Sequence, residues 1–219
     1  MTYSILARDP ETGALGAAAA TGSLCVGGWV LRGDCRGGLT ASQGAAPSTI
    51  WGEDALELMR QGSSASAAVH TVISRDSGSS WRQIAALDRS GGVACHTGRD
   101  NSEWHGSLEK DGLVVAGNLL SGQNVLIALR DGFLSGSGTF AERLLAAIVA
   151  GEEAGGDIRG LQSAALLVVS EDFAPLTLRI DWSEKPIQSL LQLYKRCQSG
   201  EYSAWLTRVP TRKKPEHSY

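Results

Sequence analysis

The sequence predicts an α+β fold in which two stacked, mainly antiparallel sheets carry helices on their outer sides. Up to Gln43, apolar runs are separated by short polar breaks, as in consecutive β-hairpins. Beyond that point, helical periodicity is confined to blocks between groups of strands. This order is typical of antiparallel sheets with segregated helices, whereas βαβ units would give a parallel sheet.

The chain opens with two predicted hairpins. Apolar, β-prone residues at 2–7 and 14–21 flank a turn at 8–13 that contains a proline and a glycine. A second pair of strands is predicted at 28–32 and 38–43, split by a polar segment. The small residues in these strands indicate close packing against another layer.

The remaining elements alternate between helical and extended patterns. From Gly52, apolar residues recur every three or four positions, which predicts two helices with a break at 62–64. Three strands, a helix, two strands and a helix beginning at Pro186 follow, at 81–87, 92–96, 112–117, 141–154, 163–170, 175–181 and 186–198. We therefore predict one domain over residues 1–199, followed by a polar, mildly basic tail at 200–219.

Charge and hydropathy exclude several classes of partner. A net charge of -3 and a pI near 5.8 argue against nucleic acid, which draws clustered Lys and Arg. No segment approaches the ~20 apolar residues of a membrane span, and the N-terminus lacks a signal-peptide pattern. A cytoplasmic protein without a membrane partner is expected. A homo-oligomer is expected only because soluble proteins commonly assemble symmetrically.

The sequence predicts neither a metal site nor a cofactor. Its cysteines, at 25, 35, 95 and 197, form no CxxC pair and have no histidine at ligand spacing. The glycine-rich stretch at 134–138 lacks the Lys-Ser/Thr of a phosphate-binding loop. Free thiols and an enzyme without a bound cofactor are the expectation.

Thr2 is the first candidate for chemistry. Methionine is trimmed when the next side chain is small, and the freed α-amine, with a reference pKa of ~7.7 to 8.0, could act as base toward the adjacent hydroxyl. From position alone, a β-branched residue that starts a strand is the better interpretation of Thr2.

Four segments together bear a family resemblance: MTYSILARDPETGALG at the start, GLTASQGA around Gln43, VVAGNLLSG around Asn118, and AGGDIRGLQSAALLVV at 154–169. They resemble the domain-of-unknown-function 1028 family, which is described as similar to N-terminal-nucleophile (Ntn) hydrolases. The resemblance spans roughly residues 1–198. It implies a four-layer αββα sandwich and hydrolysis of a small amide or peptide bond by Thr2 through an acyl-enzyme.

Such an acyl transfer needs hydrogen-bond donors for the oxyanion. Asn118 is the first candidate, since a strand-end amide beside a glycine can approach a substrate closely. An asparagine in a turn after the strand is an equal alternative, and only the resemblance gives Asn118 that standing.

The segment 155–163 could line the site. Asp157 and Arg159 could pair and hold the loop, or Arg159 could bind a substrate carboxylate. Gln162 and Ser163 start the next strand and could support the cleft or satisfy buried backbone groups.

Gln43 and His96 end two further strands. Gln43 could orient the α-amine or the substrate amide, although a turn-forming role is as good an interpretation. His96 is the histidine best placed for a site, yet a single histidine with no Ser or Cys partner is more often structural.

One position departs from the family pattern. Many relatives carry a basic residue after the Ser or Thr that ends the second strand, where this chain has Thr21-Gly22. Arg32 or Arg36 could substitute for it. The departure keeps a second hypothesis open, in which the protein is a non-catalytic binding or interaction protein on the same scaffold.

Overall fold

The computed structural model describes residues 2–216; Met1, whose removal is expected above, and residues 217–219 lie outside the described part. In chain order the elements are β1 (Thr2–Arg8), β2 (Leu15–Thr21), α1 (Val26–Trp29), β3 (Leu31–Asp34), β4 (Gly38–Gly44), α2 (Thr49–Arg60), α3 (Ala65–Ser74), β5 (Arg82–Asp88), β6 (Val93–Thr97), β7 (Gly106–Lys110), β8 (Leu113–Asn118), α4 (Asn124–Ser135), α5 (Phe140–Glu153), β9 (Ser163–Val169), β10 (Leu176–Ile180), α6 (Pro186–Cys197) and α7 (Gly200–Leu206).

The strands form two sheets. One is six-stranded, in the order β10-β9-β2-β1-β8-β7, and the other is four-stranded, in the order β3-β4-β5-β6. Each registered strand pair within residues 2–216 is antiparallel. The predicted pair of antiparallel sheets in an α+β fold is confirmed.

Three apolar clusters define the layers. Because side chains alternate along a strand, Ile5 of β1 packs with α4, α5 and α6, whereas Leu6 packs with Leu39 of the opposite sheet. The third cluster joins α2 and α3 to the far face of β5, where Ile84 meets Trp51. The sheets thus face each other, and helices cover their outer faces.

The strand predicted at 28–32 is wrong. Residues 26–29 form α1 instead, and β3 begins only at Leu31. The cause is tertiary packing against β9 and β10: a Cβ on Gly27 would lie 2.7 Å from Cγ of Arg179 and 2.8 Å from Cβ of Ala165. Glycine permits this close approach, which a local sequence pattern cannot report.

The helices are short. The longest among the described residues, α5, has 14 residues and begins with a capping box between Thr139 and Glu142. Helix α7 lies inside the segment predicted as a polar tail. Between Thr2 and Glu216, no helix combines the length and the apolar character needed to cross a membrane.

The thiol of Cys95 is expected to resist alkylation. Cys95 is half-buried on β6, packed against the cluster between the sheets, and its apolar surroundings raise the pKa of its thiol to about 12 through desolvation. At pH 8 only about one thiol in 10⁴ would be ionised, and the thiolate is the nucleophile. Iodoacetamide at pH 8 followed by peptide mapping should label Cys95 only after denaturation. Rapid labelling of the native protein would contradict this.

Candidate active site

Four polar side chains form a row at one end of the six-stranded sheet. Asn118, Thr2, Thr21 and Ser163 are register partners on the adjacent strands β8, β1, β2 and β9. Their exposed fractions are 0%, 3%, 2% and 0%. Thr2 shares the strand face of Leu6, so the row faces the opposite sheet. Strand register therefore places predicted residues that are far apart in sequence side by side.

Each polar group of Thr2 has a partner from a different element. Its backbone N–H donates to Oδ1 of Asn118 at 3.1 Å, and its hydroxyl donates to Oγ1 of Thr21 at 3.2 Å. Its carbonyl accepts from Nε2 of Gln43 at 3.2 Å. Thr2 is thus fixed by both neighbouring strands and by the facing sheet.

The side-chain amide of Asn118 is only half satisfied. Its Nδ2 is buried and has no hydrogen-bond partner among residues 2–216. An unpaired buried donor of this kind costs about 1–3 kcal/mol. The next residue, Leu119, has a positive φ of 53°, and Leu120 forms an isolated antiparallel β-bridge with Asp157. The unpaired donor belongs to the residue that pairs with Thr2 across β1 and β8.

Gln83 is a site residue that the sequence analysis missed. It lies opposite Gln43 in the four-stranded sheet and accepts a hydrogen bond from Nε2 of Gln43 at 2.7 Å. Its own Nε2 donates to the carbonyl of Gly117 on the other sheet at 2.9 Å and to Oγ1 of Thr97 at 2.8 Å. Gln43 also accepts from Ser4 at 3.0 Å. The side-chain amides of Gln43 and Gln83 thus connect the two sheets next to Thr2.

Replacing Gln83 with leucine should lower the free energy of unfolding by about 1–3 kcal/mol, because buried partners on both sheets lose their hydrogen bonds. Urea denaturation would measure this. The matched control is Gln188→Leu, an exposed glutamine of α6, for which a change within about 0.5 kcal/mol is expected. Equal effects of the two substitutions would contradict the prediction.

The predicted segment 155–163 holds the loop that follows β2. Ser163 donates its hydroxyl to the carbonyl of Ser23 at 2.7 Å and accepts from the N–H of Val26 at 3.0 Å. Nε2 of Gln162 donates to the carbonyl of Gly22 at 2.8 Å. The structure therefore gives Gln162 and Ser163 a supporting position beside the row.

Asp157 and Arg159 form an ion pair, which is one of the two alternatives predicted from the sequence. Nη2 of Arg159 lies 2.7 Å from Oδ2 of Asp157, and the side-chain exposures are 33% and 0%. The backbone N–H groups of Gly22 and Arg159 also donate to this carboxylate, at 2.7 and 3.0 Å. The pair anchors the loop after β2.

Position 22 has no room for a side chain. A Cβ there would lie 2.5 Å from the carbonyl oxygen of Gly160 and 3.1 Å from Nη2 of Arg159. Arg32 instead pairs with Glu53, and Arg36 lies by Asp34. A guanidinium beside Gly22 is that of Arg159, whereas Arg32 and Arg36 lie by the carboxylates of Glu53 and Asp34.

His96 is not brought together with Thr2. It is the register partner of Ile84, whose side chain packs against α2 and α3 on the outer face of the four-stranded sheet. Its Nε2 lies 3.1 Å from the carbonyl oxygen of Ser79, and its ring lies 5.7 Å from that of Trp51. These contacts are those of a structural histidine.

A cavity of about 220 Å³ adjoins Thr2. It is lined by Thr2, Thr21, Ser23, Leu24, Val26, Trp29, Val30, Gln43, Gly44 and Pro47. A larger cavity, of about 750 Å³, lies between the β1–β2 turn and the C-terminal helices, and its lining contains no residue of the row. The cavity next to the buried hydroxyls is the one that polar groups of both sheets converge on.

Fold and site together define a class of α+β protein with a polar row in the cleft between two antiparallel sheets. Residues 2–190 match the sequence model of the "Family of unknown function (DUF1028)", so the chain belongs to this family. The family predicted from the sequence motifs is confirmed.

Two solved structures are similar to this chain. The crystal structure of protein SPO2555 from Silicibacter pomeroyi, of the same family, is 50% identical, with a TM-score of 0.95 over 99% of this chain and 95% of that one. Anbu (ancestral beta-subunit) from Yersinia bercovieri is 11% identical, with a TM-score of 0.40 over 95% and 98% of the chains. No curated protein sequence matches this chain.

Proposed function

We propose that this protein is an amide hydrolase of the Ntn type, with Thr2 as nucleophile after removal of Met1. The observation that carries the proposal is the buried row in which Thr2 lies between Thr21 and the half-satisfied amide of Asn118, next to a cavity. The layer order, with two facing sheets and helices outside, is the one expected of the αββα sandwich of Ntn hydrolases. We therefore also propose that the chain has the Ntn-type sandwich.

Thr2 would supply both nucleophile and base. With Met1 removed, the α-amine would replace the backbone N–H that now donates to Oδ1 of Asn118. An amine that donates one N–H to Asn118 keeps its lone pair for the proton of its own hydroxyl. Its reference pKa of ~7.7 to 8.0 leaves a useful fraction unprotonated near neutral pH.

Asn118 would supply an oxyanion donor. Thr2 Oγ1 attacks the substrate carbonyl carbon, and negative charge develops on the carbonyl oxygen. A hydrogen bond from Nδ2 of Asn118 to that oxygen would satisfy the donor left without a partner. In other hydrolases one such donor is worth about 2.7–4 kcal/mol. The C–N bond then breaks, the amine leaves with the proton from the α-ammonium, and water hydrolyses the acyl-enzyme.

Gln43 and the loop at 155–163 would be positioning groups. Gln43 holds the carbonyl of Thr2 and is itself held by Gln83 and Ser4. Asp157, Arg159, Gln162 and Ser163 fix the loop at 22–26, which supplies part of the cavity wall. A bound carboxylate is not needed to explain Arg159, because Asp157 already pairs with it.

The test combines processing with labelling. Untagged protein should have an intact mass short by one methionine, and a p-nitrophenyl ester should leave its acyl group on Thr2 in peptide maps. Asn118→Ala should acylate more slowly by at least about tenfold, since one oxyanion donor is lost. Retention of Met1, or acylation elsewhere at equal rate, would overturn the proposal.

A binding protein on the same scaffold is the second candidate. It is favoured by the side chains of Leu24 and Trp29, which line the cavity and are 53% and 55% exposed. Exposed apolar side chains at a cavity mouth are typical of binding surfaces. If Met1 is retained, the nitrogen of Thr2 stays in a peptide bond and cannot act as a base. That result would favour this candidate.

A further inference from the structure

The side chains that line the cavity beside Thr2 carry no charge. The ten lining residues, all within the described part of the chain, comprise five apolar side chains, four polar uncharged ones and a glycine. Burying an unpaired charge against such walls is strongly unfavourable. A ligand group that fills this cavity should therefore be uncharged.

The guanidinium of Arg159, which contacts the cavity wall, does not change this conclusion. Arg159 reaches the cavity wall through Ser23, to whose Oγ its Nη1 donates at 3.3 Å. Its charge is balanced by the fully buried carboxylate of Asp157, at 2.7 Å. The pair presents no net charge to the cavity.

Polarity and exposure change together along the cavity. Thr2, Thr21 and Gln43 are at most 3% exposed, whereas Leu24 and Trp29 are more than half exposed. The polar groups thus lie at the inner end and the apolar side chains at the mouth. A ligand would place its reacting carbonyl inside and an apolar group along Val26, Val30, Trp29 and Leu24.

The volume limits the size of that group. At about 220 Å³ the cavity is smaller than the ~300–1,000 Å³ of typical small-molecule pockets. A short acyl chain, of about hexanoyl length, is the size of group that suits it.

The geometry points to a substrate class: amides whose acyl group is apolar, uncharged and of about hexanoyl size, with the acyl group seated in this cavity. This inference rests on the proposed function, since Thr2 lines the cavity and would carry the acyl group. It goes further by excluding acidic and basic acyl groups as good substrates.

Three p-nitrophenyl esters test the acyl preference with a constant leaving group: the hexanoate, the glutarate monoester and the 6-aminohexanoate. In each reaction a bond forms between Thr2 Oγ1 and the acyl carbon, the bond to p-nitrophenolate breaks, and the hydroxyl proton moves to the Thr2 α-amine. Absorbance of p-nitrophenolate gives the rate, and peptide mapping locates the acyl group. The hexanoate should acylate Thr2 at least several-fold faster than either charged ester, because a charged chain end would lose part of its hydration against the apolar side chains of the cavity.

A surface variant strengthens the assignment of the cavity. Leu24→Lys places a cation at the mouth without touching Thr2 and should raise the glutarate-to-hexanoate rate ratio at least several-fold. The matched control, Leu134→Lys, is similarly exposed at the end of α4 and should leave that ratio unchanged.

Noncovalent binding separates the two proposals. Hexanamide and glutaramate are titrated into the protein by calorimetry. If Thr2 is acylated but the glutarate reacts as fast as the hexanoate, the acyl preference is overturned and the hydrolase proposal stands. If no ester acylates Thr2 but hexanamide binds better than glutaramate, the cavity preference stands and the hydrolase proposal falls. Neither acylation nor hexanamide binding would overturn both.

Discussion

Replacing Thr2 with alanine should reduce turnover of an acylating ester or amide by at least roughly 10³-fold, as expected when a nucleophile is removed. The variant should remain folded, because Thr2 contributes only a few side-chain atoms at the end of β1. Turnover is measured by release of p-nitrophenolate or by mass spectrometry of an amide product, and folding by thermal denaturation.

Two controls separate chemistry from structure. Thr2→Ser keeps a hydroxyl beside the amine and should retain measurable turnover. A protein with an uncleaved N-terminal tag keeps the Thr2 hydroxyl but has no free amine, and should be as inactive as Thr2→Ala. Full turnover in the tagged protein would show that the α-amine is not the base.

Replacing Asp157 with alanine should lower the free energy of unfolding by about 1.5–3 kcal/mol, because hydrogen bonds to a fully buried carboxylate are lost, while the guanidinium of Arg159 stays one-third exposed. The carboxylate also accepts from the N–H groups of Gly22 and Arg159. Both the loop at 155–163 and the loop after β2 would lose their anchor. Urea denaturation monitored by tryptophan fluorescence measures the change.

The control for Asp157 is a surface ion pair of similar distance. Asp131 lies 2.8 Å from Arg130, with side-chain exposures of 55% and 37%, and Asp131→Ala should change stability by less than about 1 kcal/mol. If Asp157→Ala does not fold, Arg159→Ala gives the second measurement. Loss of the guanidinium would leave the fully buried carboxylate of Asp157 without its cation, so it should also cost more than Asp131→Ala. Equal costs at positions 157 and 131 would refute the anchoring role.

The spacing of apolar residues, together with turn-forming Gly and Pro, predicts most of the strands and helices of this fold. The sequence also contains a helical pattern for α4, which is not among the predicted elements. The buried residues of α4 recur at helical spacing: Val125, Leu126, Leu129 and Phe133. By contrast, β7 is a short edge strand with exposed Glu109 and Lys110, and a polar edge strand has no distinctive local pattern. Helix α1 depends on the approach of Arg179 and Ala165, which are distant in sequence.

Some residues of the candidate site can likewise be predicted from the sequence, and others cannot. Thr2 and Asn118 end strands that pair with each other, so motif positions combined with a two-sheet arrangement could bring them together. Gln83 could not be found in this manner, because only the distance between the two sheets shows that its amide reaches Gly117. His96 lies away from the candidate site for a related reason. Side chains alternate along β6, and that of His96 is directed toward the helices. Which face of a strand a residue occupies depends on the neighbours that form the core.

If Thr2 is the nucleophile, as proposed, the register of β1 makes trimming of the N-terminus sensitive to a single residue. A peptidase that removed Thr2 together with Met1 would leave Tyr3 as the first residue, and Tyr3 packs against the helices on the opposite face of the sheet. Removal of one residue more would expose Ser4, whose hydroxyl is directed to Gln43 and lies two positions deeper in the strand. Ragged trimming at the N-terminus would therefore produce a mixture in which only the chains that begin at Thr2 present a hydroxyl at the inner end of the cavity.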